Sequence, residues 1–207
     1  MRIQQVFNSR FLVARAPRND SALAVPKRRQ IVIDFSQDYF SLFGLLARYH
    51  CDARRLDAAY RKLQGEVHPD RFAASGEAEK RLALQSSARV NEAYRVLRDP
   101  VERALYLLSL HGIQAMSETD TALPLDFLEY QLERREAIEA AAQSHDARSL
   151  NALLTDVREE SGELEHMLGD ELDGARALEA ARMTVRKLKF LSRLAADIDA
   201  AVAEVED

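Results

Sequence analysis

Residues 52–70 read DARRLDAAYRKLQGEVHPD, and this stretch decides the fold. Asp52 offers a carboxylate to cap a helix running to about Val67. On that helix Leu56, Tyr60, Leu63 and Val67 follow at spacings of four, three and four, which gathers them within about 60° of arc at roughly 100° per residue. Arg54 and Arg61 fall nearly opposite that stripe, with Arg55 and Lys62 on its flanks, so one face packs and the outer face is basic. Pro69 disfavours the α conformation for the residue before it, so the helix stops near Val67 or His68 and an irregular loop runs to about Gly76.

Outward from this segment the chain keeps a helical texture. A further helix is predicted from Glu77 to Arg98, with Leu82, Val90, Ala93 and Leu97 on one side, packing antiparallel to the first across the loop. Upstream, the apolar cluster of Tyr39, Phe40, Leu42 and Phe43 ends at Gly44 and reads as a brief helix or turn. Asp99-Pro100 restarts the chain into an apolar helix from Val101 to Leu110, stopped by Gly112. Three more helical segments, about 124–143, 146–169 and 174–204, are separated by Ser144-His145 and by Gly169 to Gly174. They read as a three-helix bundle. The expectation is an all-α protein: an extension over 1–35, a helical-hairpin domain over 36–112, a linker over 113–121 and a bundle over 122–207.

Composition agrees. Among 207 residues there are seven glycines, five prolines and no tryptophan, so turn punctuation is sparse. A hydrophobic fraction of 47% suffices to build cores. No apolar run reaches the length of a membrane span, about 18 residues, so no membrane partner is expected. Cys51 is the sole cysteine and reads as a small apolar packing residue; it excludes an intramolecular disulfide and any all-cysteine metal or cluster site within one chain.

The net charge of −5 is uneven: residues 1–33 hold seven Arg and Lys against Asp20, or +6, leaving −11 on the rest. An acidic body excludes nucleic acid as the expected partner, because phosphate neutralisation needs a basic face. Residues 1–35 lack periodicity and include the loop-like Ala16-Pro17-Arg18-Asn19-Asp20-Ser21, so they read as flexible chain. Arg-rich and acid-poor, they suit either an organellar transit peptide or an upstream start read into a bacterial protein.

Catalytic signatures are missing. There is no G-x-x-x-x-G-K-[ST] phosphate loop, no G-x-S-x-G elbow and no H-E-x-x-H helix, and His50, His68, His111, His145 and His166 are dispersed. No catalytic residue, metal or cofactor is expected.

The motif that carries function is His68-Pro69-Asp70, set in the loop between two amphipathic helices. Proline stiffens the turn, so the flanking imidazole and carboxylate are held outward, as docking to another protein requires. The arrangement resembles a J-domain, and the resemblance implies that His68, Pro69 and Asp70, with the helix bearing Arg54, Arg61 and Lys62, engage a DnaK-type chaperone and stimulate its ATP hydrolysis.

Three further stretches narrow the resemblance. Asp38-Tyr39-Phe40-Ser41-Leu42-Phe43-Gly44-Leu45, the run Glu102-Arg103-Ala104-Leu105-Tyr106-Leu107-Leu108-Ser109-Leu110-His111-Gly112, and Thr184-Val185-Arg186-Lys187-Leu188-Lys189-Phe190-Leu191 are similar to the opening, the signature after the J-domain and the final helix of the HscB family. The resemblance runs from about residue 36 to the end. It implies a co-chaperone of iron–sulfur cluster assembly that binds the scaffold IscU through its C-terminal bundle and delivers it to the specialised chaperone HscA. Leu128, Leu132 and Phe190 match the family's apolar client patch; the same residues also read as bundle core, and their exposure decides between the two.

Some positions depart from the family pattern. Glu129 stands where a methionine often contributes to the client surface, Gly65 weakens the end of its helix, and Val67 replaces a common tyrosine while keeping the apolar contact. The rival readings are a general J-protein handing unfolded chains to a housekeeping chaperone, and a helical enzyme using His68 and Asp70 as an acid–base pair. The expected compartment is the bacterial cytoplasm, with the mitochondrial matrix as the alternative; the family's organellar members often carry cysteine-rich N-terminal segments that this chain lacks.

Overall fold

The structure, a computed structural model, describes residues 33–116 and 122–206. The expected extension therefore lies largely outside the described residues, as does much of the linker. Of the extension's last residues, Ile33 is buried and Phe35 half-exposed.

Seven α-helices and no strand occur among the described residues: α1 (Tyr39–Leu42), α2 (Ala53–Val67), α3 (Glu77–Arg98), α4 (Pro100–Leu110), α5 (Leu125–Gln143), α6 (Ala147–Gly169) and α7 (Leu178–Glu206). Aspartates start four of them. Asp38, Asp52, Asp99 and Asp146 each accept a hydrogen bond from an amide of the first turn, which satisfies donors that the helix itself leaves unpaired. Pro100 fills the first turn of α4, where its missing N–H costs nothing.

α2 and α3 form the expected antiparallel pair, with two adjustments to the predicted stripes. Leu56 and Val67 are fully buried, whereas Tyr60 and Leu63 are half-buried; the Tyr60 ring stacks on Tyr94 at 4.0 Å and its hydroxyl donates to Asn91. On α3 the buried line is Ala83, Ser86, Val90, Ala93 and Leu97, and Leu82 lies on its flank.

The bundle core is built from Leu150, Leu154, Val157, Leu164 and Leu168 of α6 against Ala181, Val185, Leu188, Leu191, Leu194 and Ile198 of α7. α5 adds Phe127, Ile138 and Ala141, together with a buried arginine. Arg134, 5% exposed at its side chain, donates to Gln131 Oε1 at 3.0 Å, to Glu160 Oε2 on α6 at 2.8 Å and to the Tyr130 hydroxyl at 3.1 Å. A buried guanidinium is tolerated only when its donors are met in this way.

The sequence break expected over Gly169 to Gly174 is a change of winding instead. Helical turns continue through 170–174 with wider, π-type hydrogen bonding, closed by Ala175 N–H to the Asp170 carbonyl at 2.8 Å. The chain leaves the helical path at Arg176, whose φ of 51° is left-handed, and α7 starts at Leu178, later than the predicted 174.

α4 joins the two halves. Val101, Ala104, Leu107 and Leu108 are buried, and the helix packs on both α3 and α7. Glu102 pairs with Lys189 of α7 at 3.3 Å, and Tyr106 stacks on Tyr39 at 4.4 Å while its hydroxyl accepts from the Tyr39 amide. Leu108 is wholly inaccessible. Leu108→Ala should cost about 2–5 kcal/mol, and urea unfolding followed separately by probes in α2 and α6 should show both transitions moving together.

Candidate functional site

The corner at residues 68–72 follows from one steric rule. Pro69 holds His68 out of the α region, at φ −58° and ψ 128°, so α2 ends at Val67. The chain then makes a 3-10 turn over Pro69–Phe72. His68 Nδ1 accepts the Asp70 amide at 3.3 Å, and the Asp70 carboxylate lies 3.6 Å from the same nitrogen. Both side chains face solvent: His68 is 51% and Asp70 90% exposed. Nothing in the described chain covers the corner on that side.

Arg71, which sequence reading passed over, fixes the corner to the helix behind it. Its Nη1 donates to the Gly65 carbonyl at 2.7 Å, one of the acceptors that the end of α2 leaves unpaired. The weakness that Gly65 brings to this turn is thereby offset.

Arg54, Arg61 and Lys62 are all exposed on α2. Among the described residues none of their side chains has a hydrogen-bond or ion-pair partner. They form a cationic surface leading to the His68-Pro69-Asp70 corner.

On α5 the structure separates exposed from core positions. Leu128 is 41% and Leu132 59% exposed, so both lie outside the bundle core. Leu125, one turn earlier and not singled out by sequence, is 71% exposed. The three lie on the side of α5 opposite Phe127, Arg134, Ile138 and Ala141. Apolar residues on both faces of one helix were the available signal. Phe190 is placed differently: half-buried on α7, it meets Phe127 edge-to-face at 5.7 Å. It lines a cleft with Met116, Leu123, Lys189 and Arg193.

Other titratable groups are less suggestive. Burial pushes the Cys51 thiol above its ordinary value, which keeps it protonated and suits its reading as a packing residue. Among the described residues, no cluster of His, Cys, Asp and Glu fit to hold a metal ion occurs, and no helix is long and apolar enough to cross a membrane.

A helical hairpin presenting His-Pro-Asp at its bend, joined to a separate helical bundle, defines a J-domain protein with an appended domain. A family model described as DnaJ domain matches residues 38–106, and one described as HSCB C-terminal oligomerisation domain matches residues 123–199. The chain is 45% identical over 175 residues to the co-chaperone protein HscB homolog of Burkholderia multivorans, covering 84% of this chain and 99% of that one. It is 46% identical over 177 residues to the HscB homolog of Azoarcus sp. strain BH72, covering 86% and 100%. Among solved structures it resembles chaperone HscB from Vibrio cholerae, with TM-score 0.73, 34% identity and coverage of 82% and 99%; for human co-chaperone HscB the values are 0.73, 29%, 81% and 83%. The chain belongs to the HscB family of J-domain co-chaperones.

Loss of the Arg71 clamp should fray the last turn of α2. Arg71→Ala is expected to speed amide exchange at Glu66 and Val67 by about threefold or more, without altering exchange in α6; hydrogen exchange with mass or NMR detection reads this directly.

Proposed function

We propose that this co-chaperone binds the iron–sulfur scaffold IscU, delivers it to the specialised DnaK-type chaperone HscA and stimulates that chaperone's ATP hydrolysis, catalysing no reaction of its own. The observation that carries the reading is the solvent-facing His68-Pro69-Asp70 corner beside a cationic helix face whose Arg54, Arg61 and Lys62 side chains have no partner among the described residues. In this reading Arg54, Arg61 and Lys62 attract an acidic surface on the chaperone. Exposed pairs are worth only about 0.2–1 kcal/mol each, which suits a fast encounter that must also release. His68 and Asp70, held by Pro69, then act on the ATPase.

The client surface is proposed at Leu128 and Leu132, with Phe190 at its margin. Two leucines exposed one helical turn apart offer an apolar patch that a soluble helix gains nothing by displaying to water. Holding client and chaperone on one chain raises the client's effective concentration at the chaperone's peptide site. The bacterial cytoplasm is the proposed compartment, in keeping with the bacterial relatives.

Steady-state ATP hydrolysis by the cognate chaperone tests the corner. His68→Gln should abolish stimulation while scaffold affinity, read by calorimetry, stays within about twofold of the parent. Equal stimulation by both proteins would remove the corner from the mechanism.

The two surfaces should also separate by solvent. Raising ionic strength is expected to weaken chaperone binding by about tenfold, because surface charges are screened, and to leave scaffold binding nearly unchanged. Leu128→Ser with Leu132→Ser should instead abolish scaffold binding and spare the chaperone encounter.

A further inference from the structure

Between α1 and α2 the chain passes the far end of the bundle, and there one carboxylate holds it. Asp173, in the π-type turn after α6, accepts the Tyr49 amide at 2.7 Å and the His50 amide at 2.9 Å, and its Oδ2 lies 3.0 Å from His50 Nδ1. A carboxylate only accepts, so Nδ1 carries the proton in this contact. The Asp173 side chain is 16% exposed, and every partner named lies in the other domain. Beneath it the His50 ring rests on Gly169, where a Cβ built on the backbone would overlap the imidazole. Gly169 has ordinary helical angles, φ −58° and ψ −48°, so its glycine is required by that close approach and not by its backbone. Tyr49 is buried, with the Arg103 guanidinium over its ring at 5.1 Å, which ties the same loop to α4.

Apolar packing through α4 brings the halves together but is non-directional. Three convergent hydrogen bonds to one fixed carboxylate are directional, and they act far along the chain from α4's contacts with α7. We infer that Asp173, with His50 and Gly169, is a positioning latch: it fixes the angle between the J-domain and the bundle and so couples client occupancy to chaperone stimulation. The inference rests on the proposed function for its consequence, and on geometry alone for the fixed angle. Asp173 is a positioning residue; it belongs to neither proposed partner surface.

The latch is tested in the full chain with Asp173→Asn, which turns part of the acceptor into a donor facing N–H groups, and with Gly169→Ala. The second change favours α6 as a helix and disturbs only the seat of His50. Backbone ¹⁵N relaxation should give one tumbling time for both domains in the parent and two in the variants. Binary affinities for chaperone and scaffold should stay within about twofold, while the extra ATPase stimulation obtained with both partners present falls about fivefold. Variants that remain folded with a single tumbling time overturn the latch. Two tumbling times with undiminished joint stimulation overturn its role in coupling. If the parent itself shows no joint stimulation, the proposed function fails, and the tumbling times still decide whether the latch exists.

Discussion

Eleven residues of α4 must satisfy two cores at once, and the architecture depends on that constraint. Ala104 and Leu108 are fully buried, while Glu102 and Tyr106 reach to opposite neighbours, Lys189 on α7 and Tyr39 on α1. A helix so short is marginal by itself in water, and its stability comes from tertiary packing. Because the packing is shared, it keeps the J-domain and the bundle in contact, but being non-directional it does not by itself set the angle between them.

The two proposed partner surfaces use opposite physics, and their placement follows from the helices that bear them. On α2 the apolar stripe turns toward α3, and the face left to solvent carries Arg54, Arg61 and Lys62. On α5 the inward face is partly polar, with Gln131 and Arg134 buried and Arg134 paired to Glu160 of α6, while Leu125, Leu128 and Leu132 are exposed on the outward face. The outward leucines come in addition to the usual core-facing stripe of Phe127, Ile138 and Ala141. Salt and apolar competitors thus provide separate handles on the two surfaces.

Helix positions were legible in the sequence because the periodicities are long and the punctuation is sharp. Asp52, Pro69 and Asp99-Pro100 each mark a boundary with a steric or capping reason, and the helices from 53 to 110 follow these marks. The His68-Pro69-Asp70 corner was legible for the same cause. Two things were not. The exposure of Leu128 and Leu132 depends on which face α7 covers, and α5 carries apolar residues on both sides, so spacing alone leaves the choice open. The contact of Asp173 with residues 49 and 50 joins positions more than 120 apart in the chain. No local pattern encodes it. Gly169, which looked like a helix breaker, is helical, and its reason lies in a ring supplied from the other domain.

Buried polar groups concentrate where elements must meet at one angle. Arg134 with Glu160 fixes α5 against α6, Arg186 donates to the Ala115 carbonyl at 2.6 Å and ties α7 to the segment after α4, and Asp173 fixes the loop before α2. Each costs desolvation that an apolar pair would avoid, so burial energy does not explain the choice. Direction does: a leucine can slide against its neighbours with little loss, whereas a carboxylate or guanidinium facing several fixed partners loses most of its interaction when displaced by about an ångström. For a protein proposed to present two partners to each other, the angle between its halves is the quantity worth fixing.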